Sequence, residues 1–190
     1  MLIVGLGNPG EEYGMTWHNM GRLAVERLAA SHDAKGWSSN ARIAGSLSSF
    51  KAGGGTVRLM VPERYMNESG LSVASALSFL KLKPKDLVLA HDDLAFPLGT
   101  VRIASGKHSA GGHNGVRSVI DALGTDDFAR VRIGIAPRDG RRVTMQTYVT
   151  GRFPKKELAA VERAIADAAM TLDKIVSLGM AKATQEVNSK

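Results

Sequence analysis

The chain has 190 residues, with 25 Lys and Arg against 18 Asp and Glu for a formal charge of +7, 44% apolar residues and no cysteine. That length favours one well-filled core, and the lack of cysteine excludes disulfides, thiolate zinc sites and a cysteine nucleophile and fits a reducing compartment. The basic surplus points to a polyanionic partner, nucleic acid first, with solubility as the bland alternative; at 5% aromatics, base stacking along a sheet is disfavoured and phosphate contacts should dominate.

Met1 leads straight into an apolar strand, Leu2 to Gly5, with no basic segment and apolar stretch ahead of a cleavage site, so export is not expected. No apolar run approaches the roughly eighteen residues of a membrane span, and the expectation is a soluble protein. From Thr16 to Ala30 the residues Met20, Leu23, Ala24 and Leu28 recur at helical spacing, with Arg27 breaking the stripe. Ile43 to Lys51 and Thr56 to Val61 flank Gly53-Gly54-Gly55 and read as a hairpin that Pro62 ends. Leu71, Ala74, Leu77 and Leu80 predict a second helix, closed by Lys83-Pro84, and Leu87 to Ala90 a buried strand. Val101 to Ala104 continues the sheet. A glycine-rich loop, Ser105 to Gly112, precedes a helix from Val116 to Leu123 capped by Gly124, and Val131 to Ala136 is a further strand. Leu158, Val161, Ile165, Ala168, Leu172 and Ile175 keep steps of three and four, so a long amphipathic helix covers one sheet face until Gly179. Strands alternate with helices but include a hairpin, which predicts an α/β fold with a mixed sheet.

Gly5, Gly7 and Gly10 fit the GxGxxG pattern of dinucleotide sites, yet such a site needs a helix that begins at the glycines. Pro9 has no N–H to give, Gly10 and Gly14 interrupt helix formation, and no strand precedes Asp33 to supply a ribose partner. NAD binding is therefore not expected. Asn8 either bonds its own turn or offers its amide to a ligand at the strand's carboxyl end.

Polar clusters recur at strand ends and helix starts: Gly7-Asn8-Pro9-Gly10, Thr16-Trp17-His18-Asn19, Tyr65-Met66-Asn67-Glu68-Ser69-Gly70, His91-Asp92-Asp93-Leu94 and Gly111-Gly112-His113-Asn114-Gly115. Singly, Asn67 and Asn114 read equally as helix caps, His18 as a surface histidine and the aspartates as a solvated turn. Asp92, however, follows the apolar run Leu87 to Ala90 at the mouth of a central strand. Alternation puts His91 and Asp93 on one face and Asp92 on the other, which disfavours a paired-carboxylate site. A carboxylate beside a histidine is the better chemistry, because it accepts one ring N–H and raises the basicity of the other nitrogen. His18, His91, His113, Asp92 and Asp93 match no tight metal-ligand spacing, and no GxSxG elbow or Walker A loop is present.

Taken together, VGLGNPG, Thr16 to Gly21, YMNESG, HDDL, SAGGHNG and Phe128 to Ile135 closely resemble bacterial peptidyl-tRNA hydrolases, in order and approximate spacing, almost end to end. The resemblance implies one domain over 1–190, a twisted mixed β-sheet flanked by α-helices, and hydrolysis of the ester between a peptide and the 3′-terminal ribose of tRNA. It implies His18 as general base, Asp92 as its orienting partner, and Asn8, Tyr13, Met66, Asn67, His113 and Asn114 in substrate binding. It further implies Arg132 as a tRNA phosphate contact, no metal or other cofactor, no stable protein partner, and a cytoplasmic monomer acting on peptidyl-tRNA. An activated ester needs only a deprotonated water and an amide donor for the developing oxyanion, expected here from Asn114 or Asn67. The phosphate grip implies salt-sensitive binding. Three positions depart from the family pattern: Trp17 and Ala95 stand where arginine and an acidic residue are common, and Ala104 falls where a second clamp cation is usual, so that either Lys107 substitutes or the clamp is weaker. A noncatalytic RNA-binding protein on the same scaffold, like group-II-intron splicing factors, is the alternative.

Overall fold

The structure, a computed structural model, describes residues 1–140 and 142–189. Its first strand, β1 (Leu2–Gly5), is buried on both faces, as its unbroken apolar sequence requires, and lies between β4 (Gly55–Pro62) and β5 (Leu87–Pro97). With β2 (Ser38–Asn40), β3 (Gly45–Ala52), β6 (Val101–Ala104) and β7 (Ala129–Ala136) these form a seven-stranded sheet in the order β2-β3-β4-β1-β5-β7-β6. β4, β1, β5 and β7 run parallel; β2, β3 and β6 pair antiparallel at the flanks, which is the mixed sheet expected.

Helices α1 (Met20–Ser31) and α5 (Leu158–Leu178) cover one face over Ile3, Val88, Val131 and Ile133. On the other face, α2 (Ser69–Phe79) and α3 (Asn114–Leu123) cover Leu2, Val4, Leu87 and Leu89. The opening glycines serve this packing. A Cβ on Gly5 would strike the backbone of Gly21, and one on Gly21 would strike the Ala90 carbonyl, so the loop after β1, the start of α1 and the end of β5 approach backbone to backbone. The turn holds a helix start against the sheet instead of cradling a pyrophosphate.

Several elements differ from expectation, each for a local reason. The first helix begins at Met20, after a 3-10 turn Trp17–Asn19, because the Asn19 side chain is bonded back to the Asn8 main chain by two hydrogen bonds, of 2.8 and 3.1 Å. β5 runs past Ala90 through His91-Asp92-Asp93, since these polar residues continue the ladder with β7. β2 and α4 (Met145–Val149) carry no apolar period to betray them. Gly179, at φ 79°, does end α5, but a further helix, α6 (Met180–Asn188), follows. Asn188 exchanges hydrogen bonds of 3.0 and 2.8 Å with the Ile103 backbone and so covers part of the β6 edge. No helix among the described residues is long and apolar enough to cross a membrane.

Candidate active site

Asp92 leaves β5 on the face of α1, while His91 and Asp93 leave on the other, as strand alternation demands. The 3-10 turn ahead of α1 brings His18 to it: His18 Nδ1 lies 3.0 and 3.1 Å from the two Asp92 oxygens, across 74 residues of sequence. The loop before α3 brings His113, whose Nε2 lies 3.0 Å from Asp92 Oδ1. All three side chains are buried. Burial by itself would raise the Asp92 pKa, but the His113 and His18 imidazoles and their hydrogen bonds outweigh it and hold the carboxyl well below the usual range.

An ionised carboxylate only accepts, so both imidazoles must donate, and the tautomers follow. His113 Nδ1 accepts from the backbone N–H groups of Gly115 and Val116 at 3.1 and 3.2 Å, capping α3, and its Nε2 therefore carries the proton given to Asp92. Both of its nitrogens are spoken for, leaving none for a substrate. His18 donates through Nδ1, so in the neutral ring the lone pair sits on Nε2, which has no partner among the described residues. His91 Nδ1 donates to the Asp92 carbonyl at 2.8 Å, and burial first, then the neighbouring His113, pushes its pKa down to about 3.

His18, Asp92 and His113 offer donor atoms within 4.8 Å of one another, a spacing a metal ion could span. As bonded, the trio suits protons instead: a cation would have to displace the hydrogen that each imidazole directs at the carboxylate, and His113 would become an imidazolate. Opposite the trio, Met145 and Val149 of α4 close a pocket with room for the centre of a water of about 10 Å³, enough for one molecule. A roomier groove of about 420 Å³, between β6 and the helices α5 and α6, holds none of these groups. Trp17 belongs to this closure. It is buried, stacks on Tyr148 of α4 at 5.3 Å and meets the edge of Phe153 at 5.0 Å, which is what an aromatic in place of arginine achieves there.

Of the three asparagines, Asn8 is the one with a set orientation. Its Oδ1 accepts the Met66 N–H at 2.8 Å, so the amide must point its Nδ2 the other way, with no partner among the described residues. Asn67, in the 3-10 turn Met66–Glu68, and Asn114, first residue of α3, are exposed, and neither caps a helix. Met66 is buried against Gly115, where a Cβ would collide with its sulfur, so the two exposed amides flank one seam. Tyr13 meets Tyr65 edge-on at 6.4 Å beside it.

Arg132, on β7, donates through Nε to Asp93 Oδ2 at 2.7 Å. Lys107 pairs elsewhere: its backbone forms an isolated bridge with Asp127, which lies before β7 and five positions ahead of Arg132. The basic residue directly across the ladder is Arg102. Sequence reasoning also passed over Arg130, whose buried guanidinium donates to the carbonyls of Ser109, His108 and Asp126 and so ties down the loop that leads to His113. Asn19, His91 and Arg130 lay inside quoted motifs without a role; Met145 and Val149 gave no signal.

The family model described as peptidyl-tRNA hydrolase matches residues 2–190. The chain is 40% identical over 191 residues to a peptidyl-tRNA hydrolase of Pseudomonas putida, covering 100% of this chain and 96% of that protein. It is 40% identical over 188 residues to that of Caldicellulosiruptor saccharolyticus, covering 98% and 96%. The crystal structure of peptidyl-tRNA hydrolase from Acinetobacter baumannii superposes with a TM-score of 0.88 at 34% identity, over 99% of this chain and 94% of that one. None of these relatives supports the noncatalytic alternative.

Proposed function

The chain belongs to the peptidyl-tRNA hydrolase family, and on that premise we propose how its residues share the hydrolysis of the ester that joins a peptide to the terminal ribose of tRNA. The observation that carries this reading is the pair of contacts from His18 Nδ1 to buried Asp92, which in the neutral ring assign the lone pair to Nε2. His18 Nε2 removes a proton from water as it attacks the ester carbonyl, and Asp92 steadies the imidazolium that forms. The Asn8 amide, its oxygen bonded to Met66 N–H, donates Nδ2–H to the developing oxyanion, the part expected of Asn114 or Asn67 from sequence. The tetrahedral intermediate then expels the ribose oxygen, which takes the proton back from His18.

Asn67 and Asn114, with Tyr13 and Met66, hold the first peptide unit beyond the ester. A free aminoacyl ester has a charged amine there and cannot reproduce those hydrogen bonds, which selects for peptidyl substrates. His113 serves the reaction through Asp92 and not through the substrate. Arg132 contacts a tRNA phosphate, with Lys107 as a separate contact further along the basic surface. The enzyme works as a cytoplasmic monomer without a resident metal or stable protein partner.

The test is hydrolysis of N-acetyl-aminoacyl-tRNA by the wild type and His18→Ala, with and without a chelator. The substitution should lower kcat by about 10² to 10⁴ while tRNA binding persists, and chelation should change neither. A folded His18→Ala protein with near-normal turnover refutes the assignment.

A further inference from the structure

Arg132 sits in a cradle that its role as an ion-pair partner does not require. Its Nε is held by Asp93 Oδ2 at 2.7 Å, and Asp93 is itself fixed, because its Oδ1 accepts the Ala95 N–H at 2.8 Å. The guanidinium carbon, Cζ, lies over the Phe96 ring, 4.7 Å from its centroid. Phe96 belongs to neither hydrophobic core, so packing does not account for it. β5 breaks register with β7 between Asp93 and Pro97, and Gly134, two positions beyond Arg132 on the same face, has no β-carbon to strike the Pro97 carbonyl first and then the Phe96 β-carbon and carbonyl, so the bulged Phe96-Pro97 segment packs directly on it. The bulge and the glycine together bring an aromatic face under a cation. Nη1 and Nη2 of Arg132 donate to none of the described residues, and the side chain stays partly exposed.

We propose that Phe96 is a positioning residue for Arg132: ring and carboxylate hold the guanidinium so that its two terminal nitrogens face outward as a fixed fork for one phosphate group of the tRNA. An arginine free in solution must give up its rotamer freedom to make a bidentate contact, whereas one already held through Nε and stacked on a ring has given up most of it before binding. Stacking also leaves the outer edge hydrated and available, as two-pronged phosphate recognition needs. This device suits a chain with Ala104, not a second cation, beside the arginine pair. The inference rests on the reading of Arg132 as a phosphate contact.

The experiment compares wild type, Phe96→Leu, Phe96→Tyr and Arg132→Ala on two substrates: N-acetyl-aminoacyl-tRNA, and the same acyl group on the 3′-hydroxyl of adenosine, which carries no phosphate. Phe96→Leu keeps an apolar side chain and removes the π face. It should raise KM for the tRNA substrate about three- to tenfold at unchanged kcat and leave kcat/KM on the adenosine ester unchanged. Phe96→Tyr, which keeps the ring, should restore KM. If Arg132→Ala raises KM tenfold or more while Phe96→Leu stays within twofold of wild type, the positioning idea is wrong and the phosphate contact stands. If Arg132→Ala leaves KM unchanged, the phosphate contact itself is wrong. Equal losses on both substrates for Phe96→Leu would move its effect to the catalytic pocket and overturn the inference.

Discussion

Asp92→Asn probes the site at its centre, and the contacts set the expected size of the effect. The two imidazole N–H groups converge on Oδ1 at 3.0 Å each, and His18 Nδ1 also lies 3.1 Å from Oδ2. An asparagine that keeps its oxygen at the shared position still accepts both donors, but its NH2 then faces the His18 Nδ1–H, donor against donor. His18 escapes by moving its proton to Nε2, the nitrogen that must be bare to accept one from water. The variant thus folds with its ring in place and the wrong tautomer. General-base catalysis contributes about 10² to 10⁴ in rate, or about 3 to 5 kcal/mol of barrier at 1.36 kcal/mol per tenfold, and most of it should be lost. Single-turnover hydrolysis of N-acetyl-aminoacyl-tRNA at saturating enzyme isolates the chemical step. The expected result is a fall in rate of that size, with binding within about threefold of wild type. A folded Asp92→Asn enzyme retaining a third of the wild-type rate would refute the tautomer argument and the base assignment with it.

Other consequences follow from the same contacts. Asn8→Asp replaces the outward Nδ2–H donor by an oxygen and places a negative charge where an oxyanion develops; kcat should drop about 10² to 10³, and an unchanged kcat would assign the donor elsewhere. The buried His91 accepts a proton only near pH 3, whereas the unfolded chain takes one up near 6.5, so falling pH favours unfolding throughout that window. Urea midpoints measured from pH 6 to 4 should show stability declining by about 1.4 kcal/mol per unit on this account. His91→Asn, which keeps a donor to the Asp92 carbonyl and cannot titrate, should flatten that slope; parallel slopes for the two proteins would contradict it.

How much of this could be read in the sequence depends on the range of the interaction. Local patterns were legible. The run Leu87 to Ala90 marked a central strand and alternation separated Asp92 from Asp93, as the ladder bears out; at the glycine turn, where Pro9 and Gly10 spoke against a helix, the structure has no α-helix but one 3-10 turn, Glu11–Tyr13. Elements without an apolar period, β2 and α4, were invisible, and α4 is the one that roofs the site. Resemblance supplied candidate site residues but not their bonding: His113, expected in substrate binding, has both nitrogens engaged, by Asp92 and by the start of α3.

What the amino-acid order settled alone was which faces are apolar and which polar side chains end each strand, because a period of two or of 3.6 is a property of the backbone that any stretch carries with it. Tertiary structure alone decided which of those side chains meet. His18 and Asp92 stand 74 residues apart, and their proton geometry hangs on tenths of an ångström set by the close backbone packing of Gly5, Gly21 and Ala90 and by a loop tied down by Arg130. No short window of sequence contains both ends of such a constraint, so the His18–Asp92 contact and the stacking of Arg132 on Phe96 exist only once the sheet has assembled.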